Sequence, residues 1–262
     1  MRFLHTNRRI TSYPAYERFN NNYRAETPIV DGLLGWYRTD YMNTDQVTNN
    51  AATTGDENYE GITRIHNRWG SLSDLVPATD SNGNKLYPSV MEWEGTSRRI
   101  AKTYYTGSRK YLLENDETIE TPLTLTVAWH DPDVAYLIYS DTSEGTTIEC
   151  DSNNNFIIDF NSVSSTISTD GGFNMISFVW DGGYVRVWVD GTDMGTSSTS
   201  NKYQGEVFNG NAGNDDSRYG ANIAEWIFHD RALSSSEIQQ EHNRMRAYFT
   251  GDRDKYHRYN YS

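Results

Sequence analysis

The chain has 262 residues, 36% of them hydrophobic and 13% aromatic, with 19 tyrosines against 9 phenylalanines; this suits one β-rich domain whose core leans on rings and argues against a disordered chain. A net charge of −13 repels a phosphate backbone, and no apolar run approaches the ~20 residues that cross a bilayer, so neither nucleic-acid binding nor membrane insertion is expected. Cys150 is the single cysteine, which excludes an intramolecular disulfide and a cysteine-based zinc site.

Residues 1–28 mix arginine, asparagine and tyrosine without a helical or strand period and end at Thr27-Pro28, where the proline favours extended backbone. Arg2, Arg8, Arg9, Arg18 and Arg24 against Glu17 and Glu26 give residues 1–27 a charge of +3. The start lacks an apolar stretch of about 7 to 15 residues before a small-residue cleavage site, so no secretory signal is expected. Two readings stand: an assembly arm that docks on an acidic surface, including another copy's body, or an edge strand with a surface loop.

From Ile29 to Asp40 the pattern predicts a strand entered through Asp31-Gly32, with Leu34, Trp36 and Arg38 on one face and Leu33, Gly35 and Tyr37 on the other. Residues 41–61, rich in Asn and Thr, read as a polar loop. A short stretch at 62–69, a turn at Asp80 to Asn84 and a strand at Ser89 to Glu94 follow.

Thr121 to His130 alternates Leu123, Leu125, Val127 and Trp129 against Thr124, Thr126, Ala128 and His130, the period of a half-buried strand. Val134 to Tyr139, Thr146 to Cys150 and Phe156 to Phe160 continue a meander. At Phe173 to Gly191 two strands flank Asp181-Gly182-Gly183, with Val185, Val187 and Val189 facing one way and Tyr184, Arg186 and Trp188 the other.

After a polar loop region at 192–219, Ile223 to His229 forms the last strand, with Ala224, Trp226 and Phe228 opposite Ile223, Glu225 and Ile227. Ser234-Ser235-Ser236-Glu237 then fits a capping box, and Ile238, His242, Met245 and Phe249 line one face of a helix that closes at Gly251. The tail at 250–262 carries +1, so the body between the flanking segments, residues 28–249, carries −17. The expected fold is therefore all-β: an antiparallel two-sheet sandwich of roughly ten to fourteen short strands spanning 29–249, with an N-terminal arm at 1–28, one C-terminal helix and a tail at 250–262.

Three segments carry a family resemblance. Trp180-Asp181-Gly182 followed by Val189-Asp190-Gly191 resembles the paired turns of the concanavalin A-like lectin and glucanase superfamily, most closely its laminin G-like jelly-roll branch. Gly220, Ile223-Ala224-Glu225 and then Leu233-Ser234, Glu237-Ile238 are similar to the end of that domain, and Gly32 to Tyr37 with Trp93-Glu94-Gly95-Thr96 resemble its first strand and an early turn, Trp93 and Glu94 being departures. The resemblance implies two facing antiparallel sheets and no single activity, because the fold hosts many.

Glucanases of the superfamily set three carboxylates on one strand as E-x-D-x-E or E-x-D-x-x-E, so that an acid and a nucleophile share a cleft. The nearest text is Glu114-Asn115-Asp116-Glu117-Thr118-Ile119-Glu120, whose outer glutamates are six apart and whose composition reads as a solvated acidic loop. His5, His66, His130, His229, His242 and His257 show no metal-gathering spacing. Laminin G-like domains often bind calcium, which makes it a candidate cofactor, with Asn211, Asn214, Asp215 and Asp216 as donors and ordinary turn asparagines as the other reading.

The loop from Asn201 to Arg218 also holds Tyr203 and Phe208, rings able to stack on a sugar or pack on a protein beside amides that hydrogen-bond it. Tyr203, Phe208, Asn211, Asn214 and Asp216 are thus the expected glycan- or partner-binding residues. No catalytic residue is assigned.

The expectation is a non-catalytic binding or structural component of a larger assembly, in its concrete form a virion surface protein such as a phage capsid decoration or tail accessory, with protein partners in the capsid or tail, a cell-surface glycan as a further partner and homo-oligomerisation open. A soluble glycan-binding lectin is the alternative, and a glycoside hydrolase the third.

Overall fold

The computed structural model describes residues 27–48, 58–77, 79, 85, 87–92, 99–102, 111–113, 122–130, 136–141, 146–150, 155–158, 163–166, 173–181, 183–198, 207–208, 219–220 and 222–250. The expected arm, apart from Thr27 and Pro28, and the tail after Thr250 lie outside them, as does the acidic stretch Glu114 to Glu120.

The strands run in chain order as β1 (Leu33–Thr48), β2 (Asn58–Gly70), β3 (Leu75–Pro77), β4 (Ser89–Glu92), β5 (Arg99–Lys102), β6 (Tyr111–Leu113), β7 (Leu123–His130), β8 (Tyr136–Asp141) and β9 (Thr146–Cys150). They continue as β10 (Asn155–Ile158), β11 (Val163–Thr166), β12 (Phe173–Trp180), β13 (Tyr184–Val189), β14 (Thr192–Ser198), β15 (Val207–Phe208), β16 (Tyr219–Gly220) and β17 (Asn222–His229), followed, among the described residues, by the helix α1 (Ser235–Thr250). Among the described residues no helix is long and apolar enough to cross a membrane.

Two sheets form, as expected. In the larger, β14, β13, β12, β7 and β17 lie side by side, and the far edge of β17 is shared: Glu225 to His229 pair with β1, while Asn222 and Ile223 pair with β5. From there β1 passes to β2, β2 to β4 and β4 to β5, so this part of the sheet rolls back onto β17. The smaller sheet runs β11, β10, β9, β8, β16, antiparallel except for β16 beside β8.

Apolar alternation decides which face is buried. Leu123, Leu125, Val127 and Trp129 of β7 meet Phe178 and Trp180 of β12 and Val185 and Val187 of β13 in the main core, as their two-residue period requires. The opposite face of the same strands is covered by α1, where Ala128, Met175 and Ile227 pack against Met245 and Phe249. The inward threonines of that face are satisfied: Thr124 Oγ1 donates to the Arg231 carbonyl at 2.7 Å, and Thr126 Oγ1 lies 2.8 Å from Ser177 Oγ.

The helix starts where the capping box predicts. Ser234 Oγ accepts from the Glu237 amide at 3.4 Å, and the Ser234 amide donates to Glu237 Oε2 at 2.8 Å. Ile238, His242, Met245 and Phe249 are all buried, with Glu241 and Arg244 buried beside them. The second hairpin turn is also in place: Asp190 and Gly191 take φ of 51° and 82°, the left-handed pair that a two-residue turn between right-twisted strands needs, while Gly182 of the first lies outside the described residues.

Three expectations are corrected. The polar loop at 41–61 is largely strand, since residues 42–48 pair with 58–65. Asn43, Asp45 and Gln46 are exposed there, so neither face presents an apolar row, and the hairpin leaves no alternation to read. The polar segment 192–219 likewise contains β14, an edge strand with exposed Thr192, Asp193 and Thr196, together with the short β15 and β16.

The face assignments in β1 and β17 are corrected by bulges. A register shift between Ile223 and Glu225 puts Ile223 with Trp226 and Phe228 in the main core and Ala224 with Ile227 under the helix. A second shift between Leu33 and Gly35 puts Leu33 with Trp36 under the helix and leaves Leu34 with Tyr37 on the core side.

Gly70 ends β2 at φ +113°, and a Cβ there would meet the Leu34 carbonyl oxygen at 1.9 Å. That carbonyl already accepts from the Ser71 and Leu72 amides. Gly70→Ala is therefore expected to cost about 1–3 kcal/mol or more, read as a lower urea midpoint. An unchanged midpoint would show that the turn relaxes.

Candidate functional site

The sequence Trp36-x-Arg38 puts a ring and a guanidinium on the helix-facing side of β1, just before the strand leaves β17 to follow β2. Trp36 is buried, and its Nε1 donates to Glu225 Oε1. Beneath it, Arg244 of α1 is held by Glu225 at 2.9 Å and Glu241 at 2.8 Å, and all three charged side chains are buried. Glu241 also receives the Ile29 amide, and the Ile29 carbonyl accepts from His229 Nε2 at 2.9 Å, so the chain entering after Pro28 is clamped to α1 and β17.

At the rim of this buried network three elements, β1, β2 and α1, bring together an arginine–aromatic cluster. Arg68 of β2 stacks over Tyr41 at 3.5 Å and Trp36 at 4.4 Å. Arg38 stacks over Tyr248 of α1 at 4.0 Å and lies 5.4 Å from the Tyr41 ring. Its Nη2 pairs with Asp40 Oδ2 at 3.0 Å, and the Tyr248 hydroxyl donates to the same carboxylate oxygen.

Arg38 is 4% exposed, and its Nε and Nη1 have no hydrogen-bond partner among the described residues. Burial works against its charge, but the fields of Glu225, Tyr248 and Asp40 outweigh that and hold its pKa above the ordinary arginine value. Tyr41, Arg68 and Tyr248 are half-buried, so the cluster presents flat rings and guanidinium edges at the protein surface.

A second polar group sits in the turn after β2. Asp74 accepts from Arg64 Nη1 at 3.1 Å and the Asn67 amide at 2.8 Å, with His66 Nδ1 at 3.0 Å. Burial opposes its ionisation, but the Asn67 amide, Arg64 and His66 together hold its pKa below the usual carboxylate range. These contacts close the turn, so they read as structure.

The expected binding loop is placed only through its backbone. Phe208 lies in β15, which pairs with β6, and Tyr219 begins β16, which joins the smaller sheet beside β8; residues 209–218 therefore connect one sheet to the other. Tyr203, Asn211, Asn214 and Asp216 lie outside the described residues, as do Asp215 and the five arm arginines Arg2, Arg8, Arg9, Arg18 and Arg24. Among the described residues no group of three or more His, Cys, Asp or Glu is arranged to hold a metal ion.

The Arg38, Tyr41, Arg68 and Tyr248 constellation is not read from sequence, since Tyr41 falls in a stretch that looks like loop and Tyr248 lies on the helix 207 positions away. The available signal is Arg38 itself, a charge inside an otherwise apolar strand.

A laminin G family model described as the concanavalin A-like lectin/glucanases superfamily matches residues 107–239, just over half of the chain. No curated protein matches it. Among solved structures, domain 4 of AbnA, an extracellular GH43 arabinanase from Geobacillus stearothermophilus in complex with arabinotriose, is similar at 13% identity and TM-score 0.50, over 80% of this chain and 98% of that one. A GH54 α-L-arabinofuranosidase is similar at 12% identity and TM-score 0.52, over 82% of this chain and 60% of that one. The binding domain of paraclostridial mosquitocidal protein 1 is similar at 9% identity and TM-score 0.50, over 81% of this chain, which spans 52% of that domain. At these identities the likeness is one of fold.

Proposed function

Since the chain belongs to the concanavalin A-like lectin/glucanases superfamily, we propose that it is a non-catalytic, glycan-binding component of a larger assembly. The observation that carries this reading is the half-buried Tyr41, Arg68 and Tyr248 cluster, where rings offer stacking faces and guanidinium groups offer donors to sugar oxygens. Domain 4 of AbnA, which is covered almost end to end, is a precedent for a domain of this fold in complex with arabinotriose.

The non-catalytic part is supported by the state of Glu225, the carboxylate on the central strand β17. It is shut off from solvent and committed to Trp36 and Arg244, which leaves it unable to protonate a glycosidic oxygen. The assembly part rests on the basic segment 1–27 and remains a proposal, as do a virion location and calcium at the 211–216 loop. Deleting residues 1–27 is expected to abolish incorporation into the assembly, and unchanged incorporation rejects the arm.

The direct test is a glycan array probed with the full chain, with and without chelator. Tyr41→Ala is expected to weaken the bound glycan about tenfold, as the loss of one stacking face of about 1–1.5 kcal/mol requires. If Tyr203→Ala removes binding and Tyr41→Ala does not, the site is the 201–218 loop. Hydrolysis of an arabino-oligosaccharide that is lost on Glu114→Gln or Asp116→Asn would overturn the non-catalytic reading.

A further inference from the structure

We infer that Arg38 is the recognition point of an oxyanion site, so that the ligand taken at the β1 bend carries a carboxylate or sulfate group. This deepens the proposed glycan-binding reading and rests on it for the sugar, though not for the anion.

The argument starts from what Arg38 lacks. A guanidinium has five N–H donors and no way to shed its charge, and taking it out of water without acceptors is costly. Only Nη2 of Arg38 is paired, with Asp40; Nε and Nη1 have no partner, although the side chain is 96% withdrawn from solvent. Such orphaned donors are rare in folded proteins and require an explanation. The neighbouring rings of Trp36, Tyr41 and Tyr248 offer π faces to the cation but no acceptor to those two nitrogens.

An oxyanion supplies what is missing. A carboxylate or sulfate presents several acceptor lone pairs in the geometry that matches a planar guanidinium, and its bonds to Arg are among the strongest available to a side chain. The cost of stripping water from the donors has already been met in folding. Asp40 is the most exposed member of the cluster, so the solvent side of Arg38 is the side its carboxylate occupies. Asp40 thus acts as an internal competitor, holding Nη2 and the Tyr248 hydroxyl until a ligand anion arrives.

Charge weighs both ways. Arg38, Arg68 and Arg244 against Asp40, Glu225 and Glu241 leave the group neutral, and the chain as a whole repels anions at −13. At physiological salt that long-range repulsion is screened beyond about 8 Å, whereas the two desolvated donors are not. Recognition is therefore local and directional.

The test is calorimetric titration of the full chain with trigalacturonate, its methyl ester and inorganic sulfate. The expected result is that trigalacturonate binds at least tenfold more tightly than the ester and that sulfate competes with it. Asp40→Asn, which keeps an acceptor for Tyr248 but removes the competing charge, is expected to tighten trigalacturonate and sulfate severalfold, and Arg38→Lys to weaken both. A purely structural Arg38 predicts no tightening in Asp40→Asn, so that variant reads the site even if Arg38→Lys unfolds. Equal binding of trigalacturonate and ester with no gain in Asp40→Asn overturns the oxyanion site and leaves glycan binding standing. Sulfate binding that gains in Asp40→Asn while neither sugar binds supports the site and removes the glycan reading. No binding of any probe to wild type or Asp40→Asn overturns the inference.

Discussion

Arg244→Met is expected to lower the unfolding free energy by about 3–5 kcal/mol, the usual consequence of removing one partner from a buried ion pair. Arg244 is 1% exposed and sits between Glu225 at 0% and Glu241 at 1%, so its loss strands two carboxylates where no water reaches. Trp36 and the Ile29 amide would still donate to those carboxylates but could not neutralise them. The measurement is the urea midpoint at constant slope, which isolates a stability change from a change in the unfolded chain. Adding Glu225→Gln to Arg244→Met is expected to recover part of the loss. A loss below about 1 kcal/mol in Arg244→Met would show that solvent enters beneath α1 and that the network is not closed.

Acid is expected to destabilise the fold from pH 6.5 downward, and His242 is the main cause. Burial first, and the nearby Arg246 charge second, push its pKa down from 6.5 to about 3. The Gly191 amide donates to its Nδ1 at 2.8 Å, which places the ring proton on Nε2, facing Ser177 Oγ at 2.8 Å. The folded protein therefore holds this histidine neutral while the unfolded chain protonates it. Its contribution is complete above pH 6.5 and is lost as pH falls toward 3, with a slope approaching about 1.4 kcal/mol per pH unit and a total of roughly 4 kcal/mol. His229, also lowered chiefly by burial, acts in the same direction. Urea midpoints taken between pH 7 and 4 on wild type and His242→Gln measure it: the variant is expected to be weaker at pH 7 but flatter with pH, and parallel curves would refute the assignment.

Both effects come from one face of the larger sheet. Its strands bury aliphatic and ring side chains on one face and a polar network toward α1 on the other, so the helix is fastened by Arg244 and His242 as well as by Met245 and Phe249. The candidate site grows from the edge of that same network. Trp36 links them, its indole bonded to Glu225 below and stacked by Arg68 above.

The amino-acid sequence by itself determined the class of fold. The two-residue alternation of Leu123 to Trp129, the Asp190-Gly191 turn ending β13, and the Ser234 to Glu237 capping box each act over a few residues, and local patterns of that kind survive translation into structure with little interference. Only the tertiary structure decided where the pattern slips. The bulges at Leu33/Gly35 and Ile223/Glu225 turn neighbouring side chains to the opposite layer, because a strand's facing depends on its partner's register, which the strand's own text does not contain. The same holds for the site: Arg38, Arg68 and Tyr248 meet through the bend of β1 and the docking of α1, and the two unpaired donors of Arg38 are recognised only once the side chains packed around it have been placed.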